Sequence, residues 1–144
     1  MNILFFLTPK SEVSYLYDDD TFSHAYQKMA DGGYTAIPII DREGKYVGTV
    51  NEGDFLRTFL EHGHPHLAEM DKVPLRDVGR RHHISPVRID ANIEDLLLMT
   101  MNQSFVPVID DRGVLIGIVT RKAILQYYYN MTHETEQQHI SAAQ

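Results

Sequence analysis

The chain has 144 residues, a net charge of −7 and no cysteine. The absence of cysteine excludes disulfides and thiolate metal sites, and the negative charge disfavours a general nucleic-acid surface, which requires concentrated Lys and Arg. The apolar run at residues 3–7 is too short for a signal peptide or a membrane span, so we expect a soluble, cytoplasmic protein.

The first part of the chain predicts the order strand, helix, strand, strand, helix. Capping side chains precede an amphipathic helix with Phe22, Ala25 and Met29 on one face, and Gly32-Gly33 ends it. Two β-branched runs joined by an Asp-Arg-Glu-Gly turn predict a β-hairpin. These elements are predicted at residues 13–17, 22–31, 35–40, 45–50 and 53–60.

The second part repeats the first. Residues 37–56 align without gaps on residues 106–125, and the Pro, the Asp and both Gly of the hairpin recur. The second set of elements is predicted at residues 87–89, 93–101, 105–109, 115–119 and 121–129. Each helix-linked strand pair should be parallel, and the hairpin should add an antiparallel strand.

An α+β fold follows, made of tandem βαββα repeats packed about a pseudo-two-fold axis. One such sheet with helices on one face leaves its other apolar face bare, and a second copy covers it. We predict a first repeat with the N-terminal segment at residues 1–62 and a linker at 63–74. The second repeat follows at 75–132, and the polar tail at 133–144 is expected to fray.

Two helix starts carry the candidate chemistry. Asp54 lies in the first turn after a strand, where its two oxygens can accept both hydroxyls of a ribose or simply complement the helix dipole. At the equivalent place in the second repeat stands Ala123, preceded by Thr120, Arg121 and Lys122. Cations oppose the dipole at a helix N-terminus, so they suit a phosphate, unless they are solvated surface charges.

The histidine tract His62, His64 and His66 contains ligand side chains for zinc or nickel. Its Gly and Pro break any fixed helical face, and no fourth ligand is evident, so we predict no metal site and leave the tract's affinity for metal open. The basic stretch at residues 76–83 either adds phosphate contacts or forms a solvated loop.

The duplicated order, the strand containing Ala36-Ile37-Pro38 and the Gly48-to-Asp54 spacing resemble a CBS-domain pair, or Bateman module, of the small stand-alone bacterial kind. The resemblance implies clefts between the repeats that bind adenosine-containing ligands, and disc-like homodimers. It also implies a composite site, with ribose on Asp54 and phosphate on Arg121 and Lys122. The implied ligand-binding residues are Ser14, Tyr34, Thr35, Ala36, Ile37, Pro38, Thr49, Asn51, Asp54, Phe105, Val106, Pro107, Thr120, Arg121 and Lys122.

The leading interpretation is a regulatory module that binds AMP, ADP or ATP and signals to an unidentified protein partner. One alternative is cyclic di-AMP, favoured by the resemblance at residues 34–38 and 120–122 and disfavoured by Glu12 and by the fit of Asp54 to an open ribose. Another is a ligand-free dimerisation or scaffold module. An enzyme is not expected, because no Cys nucleophile, Gly-x-Ser-x-Gly elbow or histidine dyad is present. We expect no redox cofactor and no membrane or direct nucleic-acid partner.

Overall fold

The computed structural model describes residues 2–63, 66–80 and 83–143, and its elements follow the predicted βαββα order twice. The first repeat contains strands β2 to β4 and helices α1 and α2, and the second contains β5 to β7, α3 and α4. A strand that was not predicted, β1, precedes both. The elements are β1 (Thr8–Pro9), β2 (Leu16–Tyr17), α1 (Phe22–Gly32), β3 (Ala36–Ile40), β4 (Tyr46–Asn51), α2 (Glu52–Glu61), β5 (Val87–Arg88), α3 (Ile93–Thr100), β6 (Phe105–Ile109), β7 (Leu115–Thr120) and α4 (Arg121–Ala143).

Two mixed sheets confirm the predicted α+β fold. In the first, β2 is parallel to β3, and β3 is antiparallel to β4. The second has the order β1-β7-β6-β5, with β5 parallel to β6 and β6 antiparallel to β7. The predicted strand at residues 13–17 is shorter than expected, because only Leu16 and Tyr17 pair with β3, and residues 10–12 form a turn of 3-10 helix before β2.

The two hairpin turns have the same construction. Oδ1 of Asp41 accepts hydrogen bonds from the backbone of Glu43 and Lys45, and Oδ1 of Asp110 accepts them from Arg112 and Val114, at 2.8–2.9 Å. Each turn ends on a glycine with a positive φ, of 86° and 85°. The Asp and Gly that recur between the copies therefore shape the hairpin.

The turns also pair with each other across the molecule. The backbone N–H of Tyr46 donates to Gly113 O at 3.0 Å, and the N–H of Leu115 donates to Gly44 O at 2.9 Å. These two bonds join equivalent positions of the two repeats in reciprocal fashion. The reciprocity is what a pseudo-two-fold axis between the hairpins requires.

Each repeat completes its core with the segment that precedes the other repeat. Ile3 and Phe6, from the N-terminal 3-10 helix, are buried in the core of the second repeat. Met70, Leu75 and Val78, from the segment after the first repeat, are buried in the core of that repeat. The described segment that carries Met70, Leu75 and Val78 is thus packed on the first repeat.

The helix ends follow the predicted capping chemistry, except at the C-terminus. Thr21 caps α1, and Gly33, at φ 69°, ends it. The tail that we expected to fray instead continues α4 to Ala143, and residues 128–140 are exposed. No Gly or Pro interrupts residues 121–143, so the backbone hydrogen-bond ladder can continue. No helix in the described part of the chain is long and apolar enough to cross a bilayer.

Candidate functional site

Helix α2 begins with a capping box. Oδ1 of Asn51 accepts the backbone N–H of Asp54 at 2.9 Å, and Oδ2 of Asp54 accepts the N–H of Asn51 at 3.0 Å. Two of the unsatisfied N–H groups at the helix start are thereby paired. The predicted ribose-binding carboxylate is therefore also a structural cap.

The other oxygen of Asp54 holds an arginine that the sequence analysis did not single out. Nη2 of Arg57 donates to Oδ1 of Asp54 at 2.7 Å and also approaches Gly79 O at 3.2 Å. Only 1% of the Asp54 side chain is exposed. A ribose that used both oxygens of this carboxylate would have to displace Arg57. The acid and base three residues apart at a helix start were the available signal for this pair.

Tyr34 stands beside a pocket on the first repeat. Its side chain is 41% exposed, its hydroxyl accepts a hydrogen bond from Ser14 Oγ at 2.9 Å, and its ring covers Gly32. The pocket has a volume of about 690 Å³, a size typical of ligand pockets. Its lining is mainly apolar and aromatic, from α1, Tyr34 and the first turns of α2: Phe22, Tyr26, Met29, Ala30, Tyr34, Glu52, Gly53, Phe55, Leu56 and Phe59.

Most of the apolar residues that the resemblance implies for ligand binding lie within the protein. Ile37 and Val106 are core residues, and Phe105, Pro38 and Pro107 are buried with them in the hairpin sheets. Ala36 is half-buried, and exposed Thr35 uses its carbonyl to accept the N–H of Glu52 at 3.1 Å. Of the implied ligand-binding residues at 34–38, those accessible at the surface are therefore residues 34–36.

The buried hydroxyl of Thr49 belongs to a chain of hydrogen bonds. It lies 2.7 Å from the hydroxyl of Tyr46, which donates to Ile84 O at 2.8 Å. Burial raises the pKa of Tyr46, while the bond to Thr49 and the charge of Arg80 act in the opposite direction. These hydrogen bonds tie β4 to the segment before β5. Tyr46 was missed because it belongs to no local motif, whereas Arg80 was considered only as part of the basic stretch at residues 76–83.

In the second repeat the cations stand at the start of α4. Thr120 Oγ1 caps the helix by accepting the N–H of Ala123 at 3.0 Å. Nε of Arg121 donates to Thr100 O at 2.7 Å, at the C-terminus of α3, where a cation is favoured by the dipole. Arg121 and Lys122 are both exposed. They line a pocket of about 440 Å³, together with Ser104, Leu125, Gln126 and Tyr129.

The two pockets occupy equivalent places, because three lining residues of the second, Arg121, Lys122 and Leu125, lie 69 residues after lining residues 52, 53 and 56 of the first. Each of these two pockets is lined by residues of one repeat. The Tyr34 surface and the capped Asp54 belong to the first repeat, and the two cations belong to the second. A site shared between the repeats therefore remains a prediction.

The histidine tract is described only in part, since His64 lies outside the described residues. Nδ1 of His62 lies 2.8 Å from Thr58 O, and His66 is exposed. Within residues 2–63, 66–80 and 83–143, no three His, Asp or Glu side chains are grouped so as to hold a metal ion.

Comparison with known proteins identifies the fold. The CBS domain profile matches residues 7–61 and 75–130. The structure is similar to that of CbpB in complex with c-di-AMP, with a TM-score of 0.85 and 26% identity over 96% of this chain and 91% of that one. It is also similar to a CBS domain protein from Streptococcus pneumoniae TIGR4, with a TM-score of 0.81 and 28% identity over 90% and 88% of the two chains.

A related sequence, cyclic di-AMP receptor B of Bacillus subtilis strain 168, is 24% identical over 126 residues, which are 84% of this chain and 82% of the receptor. The profile match covers most of the sequence, and its two segments coincide with the two βαββα units. This chain therefore belongs to the CBS domain family and carries two copies of the domain.

Proposed function

We propose that this chain is a regulatory module that binds an adenine nucleotide between its repeats, and that cyclic di-AMP is the favoured nucleotide. The contrast between two helix starts carries the proposal. The first turn of α2 holds the carboxylates of Glu52 and Asp54, whereas that of α4 holds no acid and carries Arg121 and Lys122. Because a helix N-terminus and two cations both attract an anion, α4 is the expected place for a phosphate.

The burial of Asp54 and its pairing with Arg57 favour the cyclic dinucleotide over a mononucleotide. An open ribose would compete with Arg57 for a carboxylate that is already buried and paired. The ribose of a cyclic dinucleotide does not present both free hydroxyls, so it does not need that displacement. Two similar proteins also support this choice, since one is named as a c-di-AMP complex and the other as a c-di-AMP receptor.

Tyr34 is the proposed platform for an adenine ring. Its exposed face is large enough to stack a base, and the bond from Ser14 fixes the direction of the ring. Base–aromatic stacking contributes about 1–3 kcal/mol per base. Thr35 and Ala36 continue the same surface with backbone groups that can contact the base edge.

Binding would act on the relative position of the repeats, which a partner protein would read. The repeats meet through reciprocal hydrogen bonds between the hairpin turns, and the segment before each repeat packs into the core of the other. A ligand that contacts both repeats can therefore alter their packing. We also propose a homodimer through the outer helices, because Leu56 and Leu60 on α2 and Leu125 and Tyr129 on α4 are exposed apolar side chains. AMP, ADP or ATP is the second candidate class, and it requires the Arg57 pair to open.

Isothermal calorimetry with c-di-AMP, AMP, ATP and adenosine tests the proposal. Lys122→Ala removes an exposed cation and should weaken c-di-AMP binding about tenfold while leaving adenosine unchanged. Arg112→Ala, on an exposed hairpin turn, is the matched control and should change neither. A wild-type protein that binds no nucleotide at millimolar concentration would instead indicate a ligand-free dimerisation module. Equal weakening of c-di-AMP and adenosine would show that Lys122 does not contact phosphate.

A further inference from the structure

Arg80 occupies an unusual position on the first repeat. Its guanidinium fills the space that a side chain at position 48 would take, so that a Cβ on Gly48 would collide with Nη1 of Arg80. The cation lies across the face of β4, near enough to Tyr46 that its charge partly opposes the rise in pKa that burial causes at that hydroxyl. Arg80 thus rests on a strand of the first repeat although it belongs to the segment leading to the second.

The equivalent place on the second repeat is filled differently. A Cβ on Gly117, which lies 69 residues after Gly48, would meet the backbone carbonyl of Thr8 and the side chain of Leu7. There, β1 is paired with β7 and closes the position with main chain. Within the described residues no strand pairs with β4 in this way, and the place holds a charged side chain instead.

The position of Arg80 is fixed by a hydrogen bond to its neighbour Gly79 and not, within the described residues, by hydrogen bonds from its own guanidinium. The carbonyl of Gly79 accepts from Arg57, which in turn holds Asp54 at the start of α2. Among residues 2–63, 66–80 and 83–143, no acceptor forms a hydrogen bond or ion pair with the Arg80 guanidinium. A guanidinium has five donors in a planar fork that matches a phosphate, and it is exposed here.

We propose that Arg80, seated on Gly48, is a phosphate-binding and specificity-determining residue of the nucleotide site. The inference rests on the proposed function and adds a residue from the inter-repeat segment to it. A phosphate held by Arg80 would be tied through Gly79 and Arg57 to the first turn of α2. Occupancy of the site is thereby coupled to the segment that enters the second repeat.

Two variants that act differently on the same cation test this inference by calorimetry with c-di-AMP and adenosine. Arg80→Gln removes the charge, whereas Gly48→Ala keeps the charge and expels the guanidinium from its place. We expect each to weaken c-di-AMP binding about 10- to 100-fold and to leave adenosine unchanged. The double variant should be no weaker than Arg80→Gln alone, because both changes remove one interaction.

The chain offers matched controls for both changes. Gly79→Ala keeps the backbone carbonyl and places a Cβ where nothing lies within 4 Å, and Lys72→Gln removes an exposed charge from the 3-10 helix at Leu67–Lys72. Both should retain wild-type affinity. If c-di-AMP binds the wild type and Arg80→Gln equally well, this inference is wrong while the proposed function stands. A wild type that binds no nucleotide overturns both.

Discussion

Replacement of Asp54 by alanine separates the structural role of this carboxylate from a role in binding. In the structure, Asp54 closes the capping box with Asn51 and pairs with Arg57. Loss of a helix cap costs about 1 kcal/mol. Loss of a hydrogen bond to a charged group costs about 1.5–3 kcal/mol. That second contribution is reduced because 34% of the Arg57 side chain is exposed to water.

We therefore expect Asp54→Ala to lower the free energy of unfolding by about 2–3 kcal/mol. Urea denaturation followed by far-UV circular dichroism measures the loss. Arg57→Met and the double variant complete a double-mutant cycle, in which the coupling between the two residues should be about 1–2 kcal/mol. Glu52→Ala, an exposed acid in the same helical turn, is the control and should cost about 0.5 kcal/mol.

A loss below about 1 kcal/mol for Asp54→Ala, or a coupling near zero, would refute the structural reasoning. The same variants also distinguish the nucleotides. If Asp54 binds an open ribose, Arg57→Met removes one competitor for the carboxylate and should strengthen AMP binding. If Asp54 serves as a cap and an ion-pair partner, Arg57→Met should leave the affinity for AMP unchanged.

Three further predictions concern the fold. Gly117→Ala should lower the unfolding free energy by about 1–3 kcal/mol, because its Cβ meets the backbone of Thr8. Gly48→Ala should cost less, because its Cβ meets only the flexible end of Arg80. Equal losses in urea denaturation would contradict this difference. Hydrogen bonds from the backbone of Val114 and then Arg112 lower the pKa of Asp110. This carboxylate therefore stabilises the fold above its unfolded pKa of about 3.9, and the contribution is lost as the pH falls through the lower folded value, so Asp110→Asn should flatten the acid limb of a stability–pH curve. Deletion of residues 133–144 should change the melting temperature by no more than about 2 °C while reducing helical ellipticity, because the side chains at 133–140 are exposed; a larger shift would mean that the end of α4 packs on something.

The hairpins and helices were predictable because their signals are local and occur twice. The turn at Asp41 and Gly44 needs a carboxylate acceptor and a positive φ, and the turn at Asp110 and Gly113 has the same construction. This agreement confirms the alignment of the two copies. Strand β1 was not predictable from its two residues, since its pairing partner lies more than a hundred residues away. Nor could apolar periodicity reveal that Ile3 packs on the second repeat, because burial alone does not specify a partner.

The residues of the candidate site also differ in whether local sequence could reveal them. Asn51 and Asp54 were recognisable as a helix start, and Arg121 and Lys122 as cations at another. Arg57 competes for Asp54 only once the helix is formed, and Arg80 reaches Gly48 only because the segment before β5 folds back over β4. The Arg57 pair requires only that α2 forms, so the spacing of three residues could have indicated it, whereas the Arg80 contact depends on tertiary structure.

The different caps of α2 and α4 have an energetic consequence for an anion. The first turn of α2 holds two carboxylates, so its dipole is already complemented and a phosphate there would meet Glu52 and Asp54. Helix α4 is capped by the neutral hydroxyl of Thr120, and each cation in its first turn costs about 0.3–1 kcal/mol against the dipole. Arg121 recovers part of that cost from Thr100 O at the end of α3, but Lys122 is exposed. A bound phosphate reverses the sign at Lys122, so ligand binding should stabilise the first turn of α4 and leave that of α2 unchanged.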